Sequence, residues 1–277
     1  MGSRIALGLS YAGQHYSGWQ SQSSGNTIQD HLEAALARFA GEGNARITTL
    51  CAGRTDAGVH GLMQVVHFDA PVQRPVAAWV RGTNTFLPSN IAVQWARAVP
   101  DGFHARASAT ARRYAYVLLQ SPVRPSVEAG RVGWVFRPLD GAAMVAAARL
   151  LEGEHDFSSF RAAACQALSP VKTLAPIRIT RSSMPVGSAG SDSASCYWHF
   201  EFEANAFLHH MIRNIMGCLI AVGQGSQPPE WMAQVLQARS RKVAAPTFSP
   251  DGLYFLGPVY APSWGLPART AAYDWLP

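Results

Sequence analysis

The chain opens on strict alternation. In residues 4–11 the apolar side chains Ile5, Leu7, Leu9 and Tyr11 fall on every second position, which is the pattern of a strand with one face in a core. A polar loop over residues 14–26 follows, and then the spacing changes. Ile28, Leu32, Ala35, Leu36 and Phe39 recur at helical intervals behind Thr27, a good N-cap, and predict a helix that runs through Ala40. Strands over 47–52 and 63–68, a helix over 75–85 and a strand over 91–98 complete the order β-α-β-β-α-β.

The second half runs through similar elements. Residues 112–119 read as a strand in which Tyr114 and Tyr116 share a face, and Asp140 caps a helix that continues to Leu151. Residues 174–181 and 196–203 read as a hairpin, with a Ser- and Gly-rich loop over 183–195 between them that carries no chemistry. Helices over 208–222 and 228–238 and a closing strand over 253–256 follow. The break between the halves falls near residues 100–105, so the expected domains are 1–104 and 105–277. The expected fold class is α+β, with two ferredoxin-like halves whose antiparallel sheets join and leave a broad cleft.

Composition narrows the function classes. Hydrophobic residues make up 48% of the 277 and charged residues 14%, which is a folded protein. The net charge is +6 and the pI is near 9.4, so a polyanion is a plausible partner. Of the 23 basic residues all but Lys172 and Lys242 are arginine, the side chain suited to bidentate phosphate contacts and stacking on bases. Cys51, Cys165, Cys196 and Cys218 form no CxxC pair and suggest free thiols rather than a zinc site or a disulfide framework. There is no signal-peptide pattern at the start and no run of 18 apolar residues, so the expected location is the cytoplasm, with no membrane contact.

The densest chemistry lies in Cys51-Ala52-Gly53-Arg54-Thr55-Asp56-Ala57-Gly58-Val59-His60. An apolar run ends in a glycine-bracketed turn that presents one carboxylate, Asp56, beside Arg54 and His60. A carboxylate kept anionic by a neighbouring arginine can act as nucleophile or base. The same residues are also ordinary turn chemistry, with an aspartate bonding nearby amides.

The rest of the chain bears on that choice. The segment Gly53–His60 resembles the signature of the tRNA pseudouridine synthase A family. Four more stretches resemble its other motifs, in the same order: 103–106 with 111–114, 153–160, 205–214 and 251–254. The likeness spans nearly the whole chain, and departs from the family pattern at Gly61, at Thr247-Phe248 and in a longer loop over 183–195.

The resemblance implies the pseudouridine synthase fold and a tRNA-modifying isomerase. Such an enzyme converts uridine to pseudouridine at positions 38, 39 and 40 of the anticodon stem-loop, with no cofactor and no metal. It implies Asp56 as nucleophile, Arg213 as the cation that balances it, and Tyr114 against the target base. Leu253 would wall the uracil pocket, and Arg54 would displace or replace the flipped base. Arg106 and Arg112, with Arg113, would contact phosphate. His60 would either touch RNA or brace the turn. A homodimer is implied as well. From periodicity alone Tyr114 is equally a core strand tyrosine, and Leu253 a core leucine.

Two rival readings stay open at this point. One is a non-catalytic RNA-binding module, which leaves Asp56 without a purpose. The other is a metal-dependent phosphohydrolase built on His155-Asp156, on His67 with Asp69, or on His209-His210. The histidines lack supporting ligand spacing, and His209 and His210, as neighbours on a helix, would diverge. Trp264 and Trp275 sit in a Pro-containing tail that would dock on the body or on a second subunit.

Overall fold

The computed structural model describes residues 3–43, 46–182 and 195–267. Its elements are β1 (Arg4–Tyr11), α1 (Ile28–Ala40), β2 (Leu50–Cys51), β3 (His60–Asp69), α2 (Val76–Asn84) and β4 (Ile91–Ala98). Then come β5 (Ala109–Gln120), β6 (Gly133–Val135), α3 (Gly141–Arg149), β7 (Gly153–Asp156), β8 (Val171–Leu174), β9 (Arg178–Arg181) and β10 (Cys196–Ala204). Helices α4 (Met211–Gly223) and α5 (Trp231–Ala238) and strand β11 (Leu253–Tyr260) close the chain. The fold is mixed α+β, as expected. The loop over 183–194 and the tail bearing Trp275 lie outside the described residues.

The chain divides into two compact units. One runs to Arg112 and takes up the chain again from Tyr254; the other holds Arg113–Leu253. The sequence reading set the division after residue 104. Arg112 stays with the first unit because its guanidinium donates to the carbonyls of Ala52, Ala109 and Arg106.

In the first unit β1 lies antiparallel between β3 and β4, and β2 runs antiparallel along the far edge of β3. The strand order β4-β1-β3-β2 is that of a ferredoxin-like sheet. Helices α1 and α2 cover one face. Ile28, Leu32 and Leu36 of α1 and Trp79 of α2 pack with Leu7, Leu9, Val66 and Phe68 from the strands. Thr27 caps α1 as predicted, its hydroxyl accepting from the Asp30 amide at 3.2 Å. A second, smaller core on the opposite face gathers Ala6, Val65 and Phe103, with Trp264 packed edge-on to Phe103 at 5.3 Å. Trp264 therefore docks on the body of its own chain.

β2 is much shorter than the strand predicted over 47–52. The Thr49 amide and hydroxyl both donate to Oε1 of Glu33, a buried carboxylate on α1, at 2.7 and 3.0 Å, so Thr49 is satisfied outside the ladder. β3 has a divided edge. Its C-terminal part pairs with β2 at Val66 and His67, and its first residues pair in parallel with β11, His60 opposite Tyr254 and Gly61 opposite Phe255. The turn that carries Asp56 sits where that edge changes partner.

In the second unit the strand order is β5-β10-β8-β7, with β6 parallel to β5 and β9 beside β10. The strand predicted over 174–181 is broken into β8 and β9, because Pro176 has no amide to give a ladder. α3 begins behind Asp140, whose carboxylate accepts from the Ala143 amide at 3.0 Å. α4 starts at Met211, three residues later than predicted. His210 adopts a left-handed conformation with φ 61°, which keeps residues 208–210 out of the helix.

Candidate active site

The residues singled out from the sequence divide between the units. Arg54, Asp56, His60, Arg106 and Arg112 belong to the first, and Tyr114, Arg213 and Leu253 to the second.

In the first unit the Asp56 turn is braced on both sides. The Asp56 carbonyl accepts from the Val59 amide at 3.1 Å, and the Thr55 carbonyl accepts from the Trp19 amide at 3.0 Å. The Thr55 hydroxyl meets the Tyr11 hydroxyl at 2.9 Å in a buried contact. Of the two bracketing glycines, Gly58 has a φ of 81°, whereas Gly53 has no left-handed backbone. Buried Gln64 on β3 donates to the Gly53 carbonyl at 2.6 Å. It spans the point where the strand edge changes partner. The backbone thus sets the direction of the half-buried Asp56 side chain, while Arg54 two residues earlier is exposed.

His60 is only 3% exposed. Its Nδ1 accepts from the Gly13 amide at 3.1 Å and its ring stacks on Tyr254, with centroids 4.7 Å apart. Arg112 spends donors on three backbone carbonyls, and Arg106 is exposed. Arg113, one residue on in the strand and so on the other face, lies 3.6 Å from Glu203 and 3.9 Å from Glu201. The Cys51 thiol beneath the turn is pushed up to about 11 by burial, against the opposing pull of Arg54 and Arg106.

In the second unit Tyr114 is 7% exposed and meets Phe207 edge-on, with centroids 5.2 Å apart. Tyr116 is fully buried and donates to the Ser249 carbonyl at 2.9 Å. Leu253 is buried behind a turn in which its amide donates to the Pro250 carbonyl at 2.8 Å. Arg213, half-buried on the first turn of α4, donates through Nε to the Phe248 carbonyl at 2.8 Å. Phe207 and Phe248 support predicted residues, yet nothing in the sequence pattern marks them apart from core aromatics.

Two histidines of the rival phosphohydrolase reading, His67 and His155, have other partners. His67 Nδ1 accepts from the Ala105 amide at 3.1 Å, and its ring is held down to about 4 by burial and by His104 and Arg4. His155 Nε2 lies 2.7 Å from the Glu152 carbonyl. Asp156 accepts from the Ser158 amide at 2.9 Å and lies 3.5 Å from Arg239. His209 and His210 depart from expectation. They precede α4 instead of lying on it, and their rings stand 4.0 Å apart.

A family model described as tRNA pseudouridine synthase matches residues 9–106 and 147–261. This chain belongs to the tRNA pseudouridine synthase family. The tRNA pseudouridine synthase A of Delftia acidovorans is 72% identical over 286 residues, covering 99% of this chain and all of that protein. The protein of the same name from Paracidovorax citrulli is 72% identical over 280 residues, with the same coverage. Among solved structures a Cbf5-Nop10-Gar1 complex aligns with 78% of this chain and 45% of its own, at 10% identity and a TM-score of 0.33. The described residues contain no helix long and apolar enough to cross a membrane.

Proposed function

We propose that this member of the tRNA pseudouridine synthase family isomerises uridine to pseudouridine at positions 38, 39 and 40 of the tRNA anticodon arm, with Asp56 as nucleophile. The observation that carries the reading is Asp56 itself. It is a carboxylate on a turn locked by Tyr11, Trp19 and Gln64, in a chain 72% identical along its length to a tRNA pseudouridine synthase A.

The chemistry asks little beyond this. The N1–C1′ bond breaks, the uracil turns, C5 bonds to C1′, the C5 proton leaves and N1 regains a proton. Bonds made and broken balance without an oxidant, so acid, base and nucleophile suffice. Asp56 attacks C6 of the uracil or C1′ of the ribose. Arg213 is the cation that balances it, Tyr114 lies against the base and Leu253 walls the pocket. Arg54 takes the place of the flipped base. An exposed side chain at the rim of a rigid turn supports that role. His60, whose Nδ1 accepts from the Gly13 amide, and Arg112, whose guanidinium donates to three backbone carbonyls, support the RNA-facing residues from behind. Arg106 contacts phosphate. The unit that runs to Arg112 presents the Asp56 loop, and the unit of Arg113–Leu253 presents Tyr114, Arg213 and Leu253. The enzyme works as a homodimer in the cytoplasm.

Incubating the purified protein with unmodified tRNA and mapping pseudouridine by carbodiimide adducts and primer extension tests this. Stops at positions 38–40 are expected. Stops only elsewhere overturn the site assignment, and none at all overturns the reading.

A further inference from the structure

The segment leading from α5 to β11 is laid along α4 in register. The Ala245 amide donates to the Cys218 sulfur at 3.4 Å. At Gly217 a Cβ atom would come within 2.2 Å of the Pro246 carbonyl oxygen, so the segment passes where only glycine leaves room. One turn earlier the Thr247 hydroxyl donates to Oδ1 of Asn214 at 2.7 Å, and at the end Phe248 exchanges two bonds with Arg213. The Phe248 amide donates to the Arg213 carbonyl at 3.1 Å, and Arg213 Nε donates to the Phe248 carbonyl at 2.8 Å.

Asn214 is the anchor of this strap. It is fully buried, and its other end, Nδ2, donates to the Phe160 carbonyl at 2.7 Å. The Thr247 hydroxyl, besides donating to Asn214, accepts from Nη2 of Arg241 at 3.1 Å. Each polar atom of the pair thus has a partner, the condition under which a buried polar contact fixes one geometry.

We infer that Thr247, clasped to Asn214, is a positioning residue for Arg213: it fixes the strap so that the Phe248 carbonyl holds the guanidinium by Nε. This deepens the proposed function and rests on Arg213 being catalytic. Thr247 never touches substrate in this account. A planar guanidinium held at Nε has its plane set, which a flexible cation would not. A shift of an ångström in such a group costs a large factor in rate and little in substrate affinity.

The test is a set of variants: Thr247→Val, Thr247→Ser, Arg213→Lys and Thr247→Val with Arg213→Lys. Single-turnover rate and tRNA affinity are measured for each, and circular dichroism checks the fold. Thr247→Val should slow the chemical step by about tenfold with affinity changed by less than about twofold, and Thr247→Ser should restore the rate. Lysine has no Nε–H for Phe248 to hold, so Thr247→Val should cost almost nothing further in the Arg213→Lys background. A Thr247→Val rate near that of the parent, a loss shared equally by affinity, or the full tenfold loss repeated in the double variant overturns the inference. If Arg213→Lys is itself as active as the parent, the catalytic reading of Arg213 fails, and the inference with it. The single-variant data tell the two failures apart.

Discussion

The backbone amide of Gly13 donates to Nδ1 of His60 at 3.1 Å, tying the loop after β1 to the residue that ends the Asp56 turn. The bond uses Nδ1 as an acceptor, which places the proton of a neutral ring on Nε2. His60→Leu removes the acceptor and the ring stacked on Tyr254. The expected outcome is a loss of about 2 kcal/mol in chemical denaturation, with tRNA affinity nearly unchanged by filter binding. A large loss of affinity at full stability would instead put His60 on the RNA.

Gly18 buttresses the Asp56 turn from outside. Its φ is 90°, and a Cβ there would come 2.7 Å from the Thr55 carbonyl oxygen and 3.0 Å from the Asp56 carbonyl carbon. Gly18→Ala should therefore cost about 1–3 kcal/mol of stability and lower kcat by about tenfold or more by moving Asp56. Steady-state kinetics on the variant checks this at a temperature where it stays folded.

His67 gives the protein an acid-sensitive core. Burial, then His104 and Arg4, hold its folded pKa near 4, below the ordinary 6.5. The unfolded chain binds this proton more readily, so the stability is fully present above pH 6.5 and drains away as pH falls from 6.5 towards 4. The full separation corresponds to about 3 kcal/mol at most. His67→Asn keeps an acceptor for the Ala105 amide and cannot titrate. Urea midpoints across that window should fall more steeply for the parent than for the variant.

The four thiols should differ in reactivity. At Cys165 burial pushes the thiol up, but the amides of Ala167 and His209 and the nearby Arg161 outweigh it, and the thiol lies below its ordinary value. Burial raises both Cys51 and Cys218. At pH 8, iodoacetamide labelling read by peptide mass spectrometry should reach Cys165 about tenfold faster than either.

Much of this architecture was legible from periodicity, since β1, α1, β4 and α3 follow from alternation, helical spacing and the caps Thr27 and Asp140. What escaped depends on distant groups. Nothing local reveals that Glu33 takes the Thr49 amide and hydroxyl and so shortens β2, or that His210 turns left-handed and delays α4. Pro176 was a local signal, and it does break the strand. The candidate site shows the same split. Asp56 and Arg213 stand out by residue type and setting, the one in a glycine-bracketed turn and the other inside an apolar helix. That Arg112 bonds the carbonyls of Ala52, Ala109 and Arg106 was not legible, because these are backbone groups that every sequence has. Gln64, Phe248 and Thr247 escaped for the same reason: each acts through a carbonyl, or through a residue far away in the chain.

The most direct measurement is tritium release from tRNA labelled at C5 of uridine, comparing the parent with Asp56→Asn. The substitution removes the anionic oxygen and keeps the shape of the side chain. Release by the parent and none by the variant, with tRNA bound equally by both, is the predicted result. Release by both would remove Asp56 from the chemistry, and release by neither, from an anticodon arm with uridine at positions 38–40, would contradict the isomerase.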